Sequence, residues 1–269
     1  MLSISSLNIY PVKSLAGISL NSAALTNQGL QFDRQWMVVD KRGHFVSQRE
    51  LPAMALIKTT LSADKLKLSR PDLGSVEIAL HNQGRKDCTV KVWQDYCQAY
   101  DQGEQAADFL AAALDLPLRL VRMKEDFRRP VDSKYALSVE NIVGFADGFP
   151  LLVISDESLE ELNEKLEYPL PMNRFRPNIT ICGGEPFAED NWEQLSIGAD
   201  NVRIALRKPC ARCPVTTVDQ ETAETSREPL RTLSFFRKQN GKVMFGQNAV
   251  VIKIGTISCG DSVQVLALE

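Results

Sequence analysis

The chain has only two histidines, His44 and His81, among its 269 residues. A zinc centre built from imidazoles, or an H-E-x-x-H protease helix, is therefore excluded. No apolar run approaches the roughly 18 residues that a membrane-spanning helix needs. The opening Met-Leu-Ser-Ile-Ser-Ser-Leu-Asn is too interrupted by polar residues for a secretory leader. The expectation is a cytoplasmic protein with reduced thiols and no membrane partner. Neither sign of charge is in large excess. The 31 basic and 34 acidic residues leave a net charge of −3, so no global field draws in a nucleic-acid polymer, and any anion site must be local.

What is present is a strand-rich first half. Trp36-Met37-Val38-Val39 and Phe45-Val46-Ser47 flank Asp40-Lys41-Arg42-Gly43, which reads as a hairpin. Leu56–Leu61 and the alternating Lys65–Leu68 flank a second turn, and Val76–Leu80 and Thr89–Trp93 alternate as well. A meander or small barrel is predicted. The first helix is expected over about Glu104–Leu114, where Ala106, Phe109, Leu110, Ala113 and Leu114 share one face. After a strand at Leu118–Met123 comes the charged stretch Lys124–Pro130, and a domain boundary is placed near residue 118. Beyond it, Leu151–Ile154 is a buried-type strand, followed by Ser155-Asp156 as a helix cap. Further strands are expected at 178–182, 202–206, 215–218, 249–254 and 263–268, with a helix over about 229–238.

The sharpest local feature is Cys210-Ala211-Arg212-Cys213-Pro214. A guanidinium beside a thiol favours the thiolate, the form that binds metals and attacks electrophiles. Four readings are compatible with the pattern: a zinc knuckle completed by Cys88, Cys97, Cys182 or Cys259; a redox dithiol; two buried cysteines; or one thiolate on a transition metal held mainly by a cofactor. β-Branched Val215-Thr216-Thr217-Val218 predicts a strand here, where a redox dithiol expects a helix. The last reading calls for an anion-binding shell nearby. Lys13-Ser14, Asp33-Arg34, Arg49 and Arg174-Phe175-Arg176-Pro177-Asn178 are candidates for it.

Tyr10-Pro11-Val12-Lys13-Ser14, Asp33-Arg34-Gln35-Trp36, Phe175-Arg176-Pro177-Asn178-Ile179, Arg212–Asp219 and Phe245-Gly246-Gln247-Asn248 together resemble MOSC-domain proteins with an N-terminal β-barrel domain, which include the amidoxime-reducing components. The resemblance implies an α+β, mainly β fold: an N-terminal β-barrel-like domain over residues 1–117, then a MOSC β-barrel domain over residues 118–269 with a few peripheral helices. It implies a molybdenum cofactor (molybdopterin) between the two, with Cys213 as metal ligand and catalytic centre. Lys13, Ser14, Arg34, Arg176, Asn178, Ala211 and Arg212 match cofactor contacts, and Asp147, Gly148, Gln247 and Asn248 line the cofactor. Cys210 matches a cysteine that does not ligate the metal. The implied reaction is reduction of N-hydroxylated compounds such as amidoximes and hydroxylamines. The chain ends ten residues after Cys259, so no iron–sulfur cluster is expected in it, and electrons are expected from a separate donor protein, a reductase or iron–sulfur protein. The alternative reading is a sulfur carrier or cofactor-binding module with a persulfide on Cys213, since MOSC domains also end molybdenum cofactor sulfurases.

Overall fold

Period-two alternation sets most of the architecture. Along Lys65–Arg70, Leu66 and Leu68 are buried while Lys65 and Lys67 face water, and this strand pairs with Lys58–Leu61 and Gly74–Ala79. A computed structural model describes residues 1–81 and 86–267. It is mainly β with three α-helices, and its sheets do not close into barrels. The barrel-like expectation is corrected to that extent.

The largest sheet runs Val263–Leu266, Gln194–Ile197, Val202–Ala211, Lys242–Lys253, Leu151–Ser155, Ile179–Cys182, Ser3–Ile9, Ile18–Leu20. A second sheet runs Trp36–Val39, Arg119–Met123, Asp95–Asp101, Asp87–Val92. Strand pairing thus crosses residue 118 in both directions. Ser3–Ile9 joins the large sheet against Ile179–Cys182, and Arg119–Met123 joins Trp36–Val39.

Leu151–Ser155 is central and buried on both faces. Leu151 and Val153 enter the large-sheet core with Ile179 and Ile204, while Leu152 and Ile154 pack with Phe175 and Phe245. Each such side chain contributes about 1.5–3 kcal/mol by leaving water. A separate core holds Trp36, Met54, Leu66 and Leu68 against helix α1, Glu104–Leu114. The stripe expected on α1 is the buried one. Ser155 caps α2, Asp156–Asn163, by accepting from the Ser158 N–H. The third helix, α3, is Leu230–Phe236.

Two local expectations need correction, and the end of a third lies outside the described residues. Phe45-Val46-Ser47 forms no full hairpin arm: Phe45 makes one bridge to Val39, and His44 makes one to Lys91. The end of the 263–268 strand, Leu268, lies outside the described residues. Residues 215–218 are not a strand, because Pro214–Thr217 is a 3-10 turn. Pro214 starts it with a fixed φ, and the Thr216 and Thr217 hydroxyls donate to the Cys213 and Pro214 carbonyls at 3.0 and 2.7 Å. Local hydroxyl bonding overrides β-branched propensity here.

Candidate active site

Pro11 ends the first strand, and the chain turns back on Trp36: the Lys13 N–H donates to the Trp36 carbonyl at 2.8 Å. Ser14 adopts φ 69°, Arg34 φ 47° and Arg176 φ 57°. Three residues expected at the site therefore share the left-handed region, where non-glycine residues are rare and strain gathers at functional positions. The Arg34 backbone is gripped from both sides. Its N–H donates to the Tyr10 carbonyl at 2.9 Å, and its carbonyl accepts from the Phe145 N–H at 2.7 Å. Gly144 is needed for that approach, since a Cβ there would stand 2.7 Å from the Arg34 carbonyl oxygen.

Eleven of the twelve site residues expected from the sequence line one pocket: Lys13, Ser14, Arg34, Asp147, Gly148, Arg176, Asn178, Ala211, Arg212, Cys213 and Asn248. Gln247 does not. It is buried on the opposite face of its strand and donates to Asp190 Oδ1 at 2.7 Å, because neighbouring residues on a strand point to opposite faces. Arg49 also lines the pocket. The sequence alone marks it only as one candidate cation among several.

The Asp33 carboxylate accepts from Arg34 Nη1 at 2.6 Å and from the Tyr10 N–H at 2.8 Å. Burial nonetheless raises its pKa, despite Arg34. The Tyr10 ring carries the Arg34 and Arg176 guanidiniums at 4.3 and 4.2 Å. Asn178 binds the parts together: its Oδ1 accepts from Arg34 Nη1 and the Leu152 N–H, and its Nδ2 donates to the Asn8 carbonyl. Arg176 donates to Gln220 Oε1 at 3.3 Å. Burial, with Arg34 adding to it against the pull of Tyr10, pushes its pKa down to about 10, so it stays charged at neutral pH.

Asp147 stands at the mouth. Its carboxylate accepts from Lys13 Nζ at 2.5 Å, Trp93 Nε1 at 3.1 Å and Arg49 Nη2 at 3.4 Å. Desolvation opposes its ionisation, but Lys13 and Arg49 outweigh that and hold it well below the usual carboxyl range. Burial lowers the Lys13 pKa in spite of Asp147. The loop's shape comes from Arg129, which spans the carbonyls of Gly144, Ala146 and Asp147.

The cysteine loop leaves its strand through a register shift between Pro209 and Ala211. Arg174 holds it by donating to the Thr217 carbonyl at 3.0 Å and Asp219 Oδ2 at 2.8 Å. Each thiol has its own guanidinium. Arg212 Nη1 donates to Cys210 Sγ at 3.1 Å, and Arg49 Nη2 lies 3.4 Å from Cys213 Sγ. Arg212 Nη2 donates to the Phe175 carbonyl at 2.7 Å, while its buried Nε has no partner. Among the described residues, no three His, Cys, Asp or Glu side chains converge to hold an ion by themselves. The arrangement is a pair of half-buried thiols, Cys210 and Cys213, in a cation-lined pocket.

Two family descriptions match the chain: the MOSC N-terminal beta barrel domain over residues 1–117 and the MOSC domain over residues 140–264. Mitochondrial amidoxime-reducing component 1 of Xenopus laevis is 34% identical over 97% of this chain and 81% of its own length. The Homo sapiens protein of the same name is 35% identical over 98% and 82%. A molybdenum cofactor sulfurase of Drosophila grimshawi is 34% identical, but the chain spans only 34% of it. The cytoplasmic expectation is overturned by these names, which point to mitochondria instead. No helix among the described residues is long and apolar enough to cross a membrane. On identity, coverage and both domain matches, the chain belongs to the amidoxime-reducing component family of MOSC-domain proteins.

Proposed function

We propose that the protein is a molybdenum-cofactor-dependent oxidoreductase that reduces N-hydroxylated compounds with electrons from a separate donor protein. The observation that carries this reading is the donor set of the pocket: two thiols, of which Cys210 is engaged by Arg212 and Cys213 matches the family's metal ligand, among five cations drawn from distant segments, Lys13, Arg34, Arg49, Arg176 and Arg212. A cofactor joining a phosphate to a sulfur-ligated metal needs both chemistries in one place. The buried, partnerless Nε of Arg212 is a donor still free to bond such a ligand. The residues present therefore fit the group.

In this reading Cys213 ligates the metal, and Lys13, Ser14, Arg34, Arg176, Asn178 and Arg212 hold the pterin and its phosphate. When bound, the cofactor supplies two-electron redox chemistry and an acceptor for the oxygen of an N–O bond. The chain's own residues do the rest. Arg49 donates a hydrogen bond toward Cys213 Sγ and so stabilises negative charge on sulfur. Asp147 keeps Lys13 and Arg49 oriented at the mouth. The names of the relatives support this reading over the sulfur-carrier alternative, for which the matched sulfurase is mostly sequence outside this chain.

The test is metal content. Protein produced in a host that makes the cofactor is expected to carry near-stoichiometric molybdenum and to reduce benzamidoxime when given a donor. Cys213→Ala is expected to lose the metal while keeping its fold. Protein without molybdenum that releases sulfur from Cys213 on cyanide treatment would replace this reading with the carrier.

A further inference from the structure

Trp93 is the most open of the three tryptophans. It is 43% exposed, whereas Trp36 and Trp192 are 0% and 9% exposed. With Gln94 it forms the two-residue link between Asp87–Val92 and Asp95–Asp101, and its φ is 56°. A positive φ at the first position of such a link is the place of glycine in a type II′ turn. A bulky indole there is strained, and strain of this kind persists where the surroundings hold it. The hairpin core does not require the ring, since Val90, Val92 and Cys97 already fill it.

The ring does not line the pocket itself but is held against two residues that do, Asp147 and Arg49. Its Nε1 donates to Asp147 Oδ1 at 3.1 Å, the Arg49 guanidinium lies 4.8 Å from it, and Phe45 meets it at 5.0 Å with a 60° tilt. Next to it, Asp95 accepts from Arg129 Nε at 2.7 Å, and the same Arg129 shapes the Asp147 loop. The hairpin tip is thus fixed to the mouth at two points. A flat, partly open aromatic surface stands there, pre-ordered and one guanidinium away from the Cys213 thiol.

We propose that Trp93 is a specificity-determining residue, whose open ring surface receives the planar aromatic or heteroaromatic body of an N-hydroxylated substrate while the N–O group points inward toward Cys213. This rests on the reductase reading. Stacking on a ring already held in place gains dispersion and quadrupole contacts without the entropy of ordering it. A substrate without a ring gains nothing from it.

The test compares Trp93→Ala and Trp93→Phe in the full, molybdenum-loaded protein, with benzamidoxime and with hydroxylamine, which has no ring. Trp93→Ala is expected to raise KM for benzamidoxime about tenfold, with kcat held within about twofold and KM for hydroxylamine unchanged. Trp93→Phe, which keeps a ring, should stay within about twofold of the parent in both constants. A second readout needs no metal. Titrating benzamidoxime into cofactor-free protein is expected to quench tryptophan fluorescence saturably, and Trp93→Phe should abolish the quench, because Trp36 and Trp192 are buried. An equal KM change for both substrates, or molybdenum lost from Trp93→Ala, would falsify the proposal and leave Trp93 as a clamp on Arg49 and Asp147. Absence of a saturable quench overturns it as well. If the loaded parent fails to reduce benzamidoxime yet the quench is present and depends on Trp93, the reductase reading falls and the aromatic site stands.

Discussion

The two halves of the chain bring cations to one pocket on different terms. In the first half, Lys13 and Arg49 share the Asp147 carboxylate and Arg34 rests on Asp33. In the second half, Arg176 bonds a glutamine amide and lies over Tyr10, while Arg212 bonds a carbonyl and a thiol. Among the described residues, neither Arg176 nor Arg212 forms an ion pair with a carboxylate. The positive potential open to an anionic ligand therefore comes chiefly from the second half, and the first half supplies cations already oriented by their carboxylates. A buried charge without a counterion is costly, and binding an anion removes that cost.

Arg176→Met separates the two roles most sharply. Molybdenum retention is expected to fall more than tenfold, because binding loses a charge-assisted contact worth about 1.5–3 kcal/mol. Stability should stay within about 1 kcal/mol of the parent or rise, since the replacement relieves an unpaired buried charge. Metal-to-protein ratio and urea midpoint measure the two effects. A large loss of stability would show that Arg176 is paired as the first-half cations are.

Asp147→Asn probes the other half. It leaves Lys13 buried with the Phe145 carbonyl as its remaining partner, and about 1–2 kcal/mol is expected to be lost at pH 7, less than for a fully buried pair because Asp147 is more than half exposed. The sign with pH follows from the direction of the shift. The carboxyl pKa is lower folded than unfolded, so its contribution is present above the ordinary carboxyl range and is lost as pH falls through the folded value. Urea unfolding between pH 3 and 8 should show the gap between parent and variant closing in acid. A gap independent of pH would mean that the contact is not ionic.

The smallest effect tests the seam between the halves. Gln48 and Gln220 exchange amide hydrogen bonds at 3.2 and 3.0 Å, and both are buried. Gln48→Leu removes these bonds and the donor to the Ser14 carbonyl, while Gln220 keeps Arg176 and the Val218 carbonyl; it should cost about 1–2 kcal/mol, and Gln220→Leu should cost less on that background than in the parent. A denaturant double-mutant cycle reads the coupling.

Much of this was legible in the chain because it depends on local pattern. The alternation at Lys65–Leu68, the α1 stripe and the Ser155 cap each follow from a few adjacent residues. That a guanidinium meets a thiol at Cys210–Cys213 was legible from the local sequence, but which one was not: Arg212 bonds Cys210, and Cys213 takes Arg49 from a distant segment. The Pro214–Thr217 turn was not, because whether a Thr hydroxyl bonds its own backbone depends on what surrounds it. Gln247 and Asn248 form an adjacent pair of which one faces the pocket, and a motif match does not resolve which face of a strand is inward. The alternation places Trp93 at the end of the Thr89–Trp93 strand, whereas the strand stops at Val92 and the indole takes a turn position that favours glycine.

The pairing of Ser3–Ile9 with Ile179–Cys182 sets a timetable. The first strand of the chain lies against a partner made more than 170 residues later, as the Ser6–Thr180 contact shows. Contacts this distant in sequence form late, after the loop-closure entropy between them has been overcome. Lys13 and Arg34 emerge from the ribosome before Arg176 and Cys213, and the surface they share does not exist until those later segments have been made. Anything that fills this pocket must therefore be delivered after the segments that carry Arg176 and Cys213 have been made.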